Sequence, residues 1–163
     1  MFLTFLFIKT IFVRFLSALS FPCIFNAQIW RIMDFLTVLI DTRNLASVAW
    51  VIYSPSDELI ISGARCLGSA TNNVAEYQAA IGLMTEALTS GIIHLIIYLD
   101  SQLVVSQLNG IYSIRDPMLL RLFRRIRLLE RSFTYIHYCY VPRQFNMVVD
   151  SLANFILDWY LSH

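Results

Sequence analysis

Residues 71–101 read TNNVAEYQAAIGLMTEALTSGIIHLIIYLDS, and the two halves of this stretch favour different structures. In the first half Val74, Tyr77, Ile81, Met84 and Leu88 recur at three- and four-residue steps, the spacing of one face of an α-helix. Thr71, Asn72 and Asn73 offer side-chain oxygens to cap its start, and Gly91 ends it. The spacing predicts a helix from these caps to about residue 88. Residues 92–99 are apolar except for His94, as in a central strand covered on both faces. Asp100 stands at the end of that strand. A helix leading into a buried strand predicts an α/β domain.

Working outward, Thr37-Val38-Leu39-Ile40 leads to Asp41 and a polar Thr42-Arg43-Asn44 turn, and residues 47–53 are rich in β-branched and aromatic side chains. Residues 36–41 and 47–53 therefore predict a hairpin. Ser54-Pro55-Ser56-Asp57 is a turn cluster before a third strand over 58–65. On the other side come a short helix over 101–108, a turn at Asn109-Gly110, a helix over 117–131, a strand over 133–141 and a last helix over 147–161. This order predicts a five-stranded mixed sheet, three antiparallel strands and then two parallel ones, flanked by helices.

The length of 163 residues suits one domain with a sizeable core. The chain is 58% hydrophobic and 14% charged, oilier than an ordinary domain, and much of the excess lies in residues 1–33. That segment holds no acid and only Lys9, Arg14 and Arg31, which leaves 12 − 3 = 9 basic against 11 acidic residues in the remainder. Such a balance excludes a globally basic nucleic-acid coat protein and an acidic disordered chain. Lys9 and Arg14 divide the apolar front into pieces shorter than the about 20 residues of a spanning helix. Residues 1–33 are therefore set apart as an extension, with the domain over 34–163. Membrane contact or organelle targeting, if any, would run through residues 1–33. Cys23, Cys66 and Cys139 are too few and too far apart for a disulfide framework or paired zinc ligands, which suits small apolar roles and an intracellular setting.

Four acids fall where this fold could gather them: Asp41 after the first strand, Glu76 in the first turn of the long helix, Asp100 after the fourth strand, and Asp150 at the start of the last helix. Each also has a structural use. Asp41 suits a turn, Glu76 a capping box with Asn73, Asp100 a helix cap, and Asp150 the positive end of a helix. The surroundings argue for more. Glu76 sits on a helix apolar on nearly all sides, Asp150 lies between Val149 and Leu152 with only Ser151 intervening, and no Lys follows Lys9. Converging acids without basic partners repel one another unless divalent cations bind, and hard oxygen ligands suit Mg²⁺ or Mn²⁺.

Thr71-Asn72-Asn73-Val74-Ala75-Glu76-Tyr77, then Tyr98-Leu99-Asp100-Ser101-Gln102-Leu103-Val104, then Asn146 with Asp150-Ser151-Leu152-Ala153-Asn154, together resemble the successive signature segments of the type 1 ribonuclease H family. The likeness is closest to the ribonuclease H-like domain of plant retrotransposon polyproteins and covers roughly residues 36–163. It implies a ribonuclease H-like α/β fold and hydrolysis of the RNA strand of an RNA–DNA hybrid using two Mg²⁺ ions, with Mn²⁺ as a substitute; separately, no obligate protein partner is evident and a monomer is expected. By the same resemblance Asp41, Glu76, Asp100 and Asp150 would be the catalytic and metal-binding set. Asn72, Asn73, Gln102 and Arg143 would contact the nucleic acid.

The first motif departs from the family's pattern. Ile40-Asp41-Thr42-Arg43-Asn44-Leu45-Ala46 lacks the glycine after the aspartate and the Asn-Pro-Gly-type turn. Asp34 is the alternative first acid, too far upstream unless the strand is redrawn, so Asp41 is preferred. The loop over 141–146 has no histidine, as in the retrotransposon-like branch, and His137 falls inside a strand. A decayed, transposon-derived module that binds nucleic acid without cutting it is the rival reading. Arg121, Arg124, Arg125, Arg127 and Arg131 concentrate positive charge on one helix, as either a solvated face or a phosphate-tracking one, with the apolar side of that helix turned to the sheet.

Overall fold

Alternation along one strand organises the domain. In the computed structural model, which describes residues 30–33, 39–40, 45–56 and 58–142, Ala46, Val48, Trp50 and Ile52 point into one core. They lie on β3 (Leu45–Tyr53), which forms an antiparallel pair with β4 (Leu59–Ser69) along its whole length. The opposite edge of β3 is shared. β1 (Trp30–Met33) lies beside residues 51–53, and β2 (Leu39–Ile40) lies beside residues 46–47, both antiparallel to β3. β1 also pairs in parallel with β5 (His94–Leu99), and β5 in parallel with β6 (Tyr135–Tyr140). Three helices are described: α1 (Asn72–Thr89), α2 (Gln102–Leu108) and α3 (Pro117–Glu130).

The α/β class holds, with two corrections to the expected sheet. It has six strand segments instead of five, because the single first strand expected over 36–41 is replaced by β1 and β2. Trp30–Met33, placed above in the extension, is hydrogen-bonded between β3 and β5. The physical reason is that a segment laddered on both edges satisfies all its backbone groups, whereas β2 has only β3 beside it in the described sheet. The expected last helix over 147–161 and residues 1–29 lie outside the described residues. Among those described, no helix is long and apolar enough to cross a membrane.

α1 is buried on most sides, and its small residues explain how. Ala75, Ala79, Ala80, Gly82 and Ala87 are buried and let neighbouring elements approach closely. Trp50 fills the space they leave. A Cβ at Gly82 would stand 2.9 Å from the indole Cη2, and one at Gly63 of β4 would overlap the same ring. The indole Nε1–H donates to Glu86 of α1, so the ring's polar edge is satisfied as it is buried. The apolar side of α3, with Leu119, Leu122 and Ile126 buried, packs on α1 and not on the sheet as expected.

A polar network ties the C-terminal half together. Arg127 donates to Glu130 at 2.8 Å and to the carbonyl of Leu108 at 2.7 Å, and its guanidinium lies 4.6 Å from the centre of the Phe123 ring. Tyr138 of β6 donates to the same Glu130 at 2.9 Å, while the Asn109 amide donates to the Tyr138 carbonyl. Burial, reinforced by Glu130, pushes the Tyr138 phenol far above its ordinary pKa. Cys66 and Cys139 are half-buried free thiols, less enclosed than expected, and burial raises the Cys139 thiol to about 11.

Candidate active site

Strand direction decides which ends of the elements meet. β1, β5 and β6 are mutually parallel, so Met33, Leu99 and Tyr140 finish at one end of the sheet. α1 spans about 27 Å for its 18 residues and returns through Ser90 and Gly91 to the start of β5, so its N-terminus lies toward the end where β5 finishes. Glu76 near the start of α1 and Asp100 after β5 are thereby brought to the same end of the domain. The chain leaves β6 toward residue 150 from that end as well.

Glu76 is 6% exposed. It lies in the second turn of α1 and not in the first as expected, because the helix is capped by Thr71, whose hydroxyl accepts from the Val74 N–H at 3.3 Å. Val74 therefore holds the position that a capping-box glutamate would need, and Glu76 is not engaged in capping. The same holds at Asp100. The cap of α2 is Ser101, whose Oγ accepts from the Val104 N–H at 3.3 Å, leaving the half-buried Asp100 outside that role.

Around these acids, Asn72 is exposed and Asn73 half-buried at the first two positions of α1, and Gln102 is exposed at the start of α2. Beneath them Tyr77, fully buried, donates to Gln107 of α2 at 2.9 Å, which fixes α1 against α2 and so Glu76 against the start of α2. Burial raises the Tyr77 phenol to about 12, so it stays a neutral donor through the physiological range. His137 is exposed on β6.

Asp41, Asp150 and Arg143 lie outside the described residues, as does Asp34. The strands that flank the first acid are described, and their registers differ. Met33 pairs with Tyr98 on β5 and Val51 on β3, whereas Ile40 pairs with Ala46. From Val51 to Ala46 is five residues, or roughly 16 Å along the strand. β1 thus ends level with the end of β5, and β2 ends well beyond it. Among the described residues no three His, Cys, Asp or Glu side chains form a cluster. The alternation Trp30-Arg31-Ile32-Met33 could have revealed β1 in the sequence, but it follows directly on the apolar front.

A family described as reverse transcriptase-like matches residues 37–156. Ribonuclease HI of Halobacterium salinarum is 39% identical over 113 residues, covering 69% of this chain and 57% of that protein. A bifunctional protein of Mycobacterium tuberculosis is 34% identical over 112 residues, of which the match covers only 30% of its length. The chain therefore spans under a third of the mycobacterial relative and just over half of the halobacterial one. Among solved structures, the halobacterial RNase H1 superposes with a TM-score of 0.73 at 35% identity, covering 78% of this chain and 98% of that one. The N-terminal RNase H domain of the mycobacterial protein gives 0.74 at 28% identity, with 83% and 98% covered.

Proposed function

The chain belongs to the reverse transcriptase-like family of ribonuclease H type, and from that premise we propose that it hydrolyses the RNA strand of RNA–DNA hybrids. The observation that carries this reading is the meeting of strand and helix ends, which brings a buried glutamate and a strand-end aspartate to one end of the sheet. Glu76 and Asp100 present hard carboxylate oxygens, which fits divalent cations such as Mg²⁺ or Mn²⁺. Asp150 and one aspartate between β1 and β3 complete the proposed set. For that aspartate the register favours Asp34, the residue after Met33, over Asp41, although the family match begins after Asp34.

Two bound cations would activate the attacking water and stabilise the leaving 3′ oxygen. The protein's own part is positional. Glu76 and Asp100 would supply carboxylate oxygens, while Asn72, Asn73 and Gln102 would donate to backbone oxygens of the hybrid, and Arg143 is proposed as a further contact. Thr71 and Ser101 cap the helices, which leaves the two asparagines and Gln102 available for that contact. We place the chain near the retrotransposon-like branch on the loop over 141–146, which has no histidine.

A non-cutting, nucleic-acid-binding domain is the second reading. It is favoured by Phe35 and Thr42, which follow Asp34 and Asp41 where the family has glycine. A hybrid labelled separately on each strand distinguishes the two. Incubation of the full chain with Mg²⁺ is expected to cut the RNA and spare the DNA, and chelation is expected to stop it. Binding of the hybrid with no RNA product in Mg²⁺ or Mn²⁺ would establish the second reading.

A further inference from the structure

We propose that the outer face of α3 is a second contact surface that holds the phosphate backbone of the hybrid away from the cleavage centre; this rests on the hybrid-nuclease reading. Arg121, Arg124 and Arg125 are exposed on α3, with Arg115 exposed just before it and Arg131 just after. A solvated helix face ordinarily interleaves acids with its bases at four-residue steps. This one does not. The only acid within α3 is Glu130, and it is bonded to Arg127, which turns inward to the Leu108 carbonyl. That Arg127–Glu130 contact is also an ion pair within this helix. Arg121 therefore faces Arg124 and Arg125 at helical steps of three and four with no carboxylate between them, an arrangement that costs helix stability. A polyanion laid along the face would remove that cost, and guanidinium forks match phosphate geometry.

Topology sets the direction in which this charge extends from the site. β6 starts at Tyr135, opposite His94 and at the far end of the sheet from Asp100, and α3 ends only a short link before it. α3 must therefore run away from the site end, which puts Arg115 and the first turn of α3 toward the end where the carboxylates gather and sets Arg121, Arg124 and Arg125 along the middle of the helix. Leu119, Leu122 and Ile126, on the other side of the helix, are buried, so the arginine face points outward. Substrate held there would be a duplex long enough to reach from the cleavage centre across α3.

The test is equilibrium binding of a labelled hybrid by the full chain in chelator, so that no cutting occurs, between about 50 and 200 mM salt. Each arginine that meets a phosphate contributes about 1 to the slope of log K against log salt. The triple variant Arg121→Gln, Arg124→Gln, Arg125→Gln is expected to lower the slope by about 2 to 3 and the low-salt affinity by about tenfold or more. In the cleavage assay its loss is carried by KM and not by kcat. Arg65→Gln on β4, also exposed, is the control and is expected to leave the slope nearly unchanged. Equal slopes for the wild type and the triple variant would overturn the proposal, and so would an equal loss per charge from Arg65→Gln. A wild type that binds hybrid through these arginines yet never cuts it would refute the nuclease reading and leave the surface standing.

Discussion

Asp34→Asn lowers the rate of RNA cleavage by about 10³-fold, on the order of 4 kcal/mol in activation free energy, while Asp41→Asn leaves the rate within a few-fold of wild type. The difference follows from the sheet register. Met33 stands level with Tyr98, so a residue continuing that strand line would come level with Leu99, next to Asp100 in sequence. Ile40, which precedes Asp41, is level with Ala46, five residues along β3 from Val51, the partner of Met33. That separation of roughly 16 Å exceeds what an aspartate side chain and a pair of ions about 4 Å apart can bridge. Even a ligand misplaced by about 1 Å can cost two orders of magnitude. Single-turnover cleavage of a labelled hybrid by the two variants decides the matter. A silent Asp34→Asn beside an inactive Asp41→Asn would mean that the first strand is the one over 36–41 and that the β1–β5 pairing is wrong.

Trp50→Ala destabilises the fold by about 3 to 5 kcal/mol, the ordinary cost of emptying a large aromatic site. For a chain of this size that lowers the melting temperature by about 10 °C or more. The indole is 5% exposed, lies against Gly63 and Gly82, and donates to Glu86, so its removal leaves a cavity between β3, β4 and α1 and strands a carboxylate. Gly82→Ala provides the complementary test. On an exposed helix this change stabilises by about 1 kcal/mol, but here the new methyl meets a ring at 2.9 Å that is held by its own hydrogen bond. Overpacking therefore wins in the wild type, and the substitution is expected to be tolerated in a Trp50→Ala background. Thermal melts of the two single variants and the double variant give the coupling. Additive effects would show that the ring and the glycine are independent.

The helix and strand within residues 71–101 were legible because local signals agree there: caps, a clean helical spacing, a terminating glycine and a continuous apolar run. Glu76 and Asp100 could be singled out for the same reason, although only the structure shows that Thr71 and Ser101, not the acids or asparagines, supply the caps. The first strand was misread because Thr37-Val38-Leu39-Ile40 has strong β propensity, whereas Trp30-Arg31-Ile32-Met33 is short, contains a charge and follows an apolar segment. What selects β1 is a partner on each side, β3 and β5, and long-range pairing of that kind leaves no local mark. The docking of α3 was obscured similarly. Its amphipathic pattern shows that one side is buried but not against what, and in the structure that side packs on α1.

The most direct test of a carboxylate-built cation site is the melting temperature of wild type and Asp100→Asn with and without Mn²⁺. Converging acids repel in metal-free buffer, so Asp100→Asn should melt at or above the wild-type temperature there. Saturating Mn²⁺ should then raise the wild type by several degrees, in line with about 2.7 kcal/mol at a hundredfold excess over Kd, and leave the variant unmoved. A wild type indifferent to the ion, together with a variant that melts lower in its absence, would show that Asp100 serves the fold and that no cation site is assembled around it.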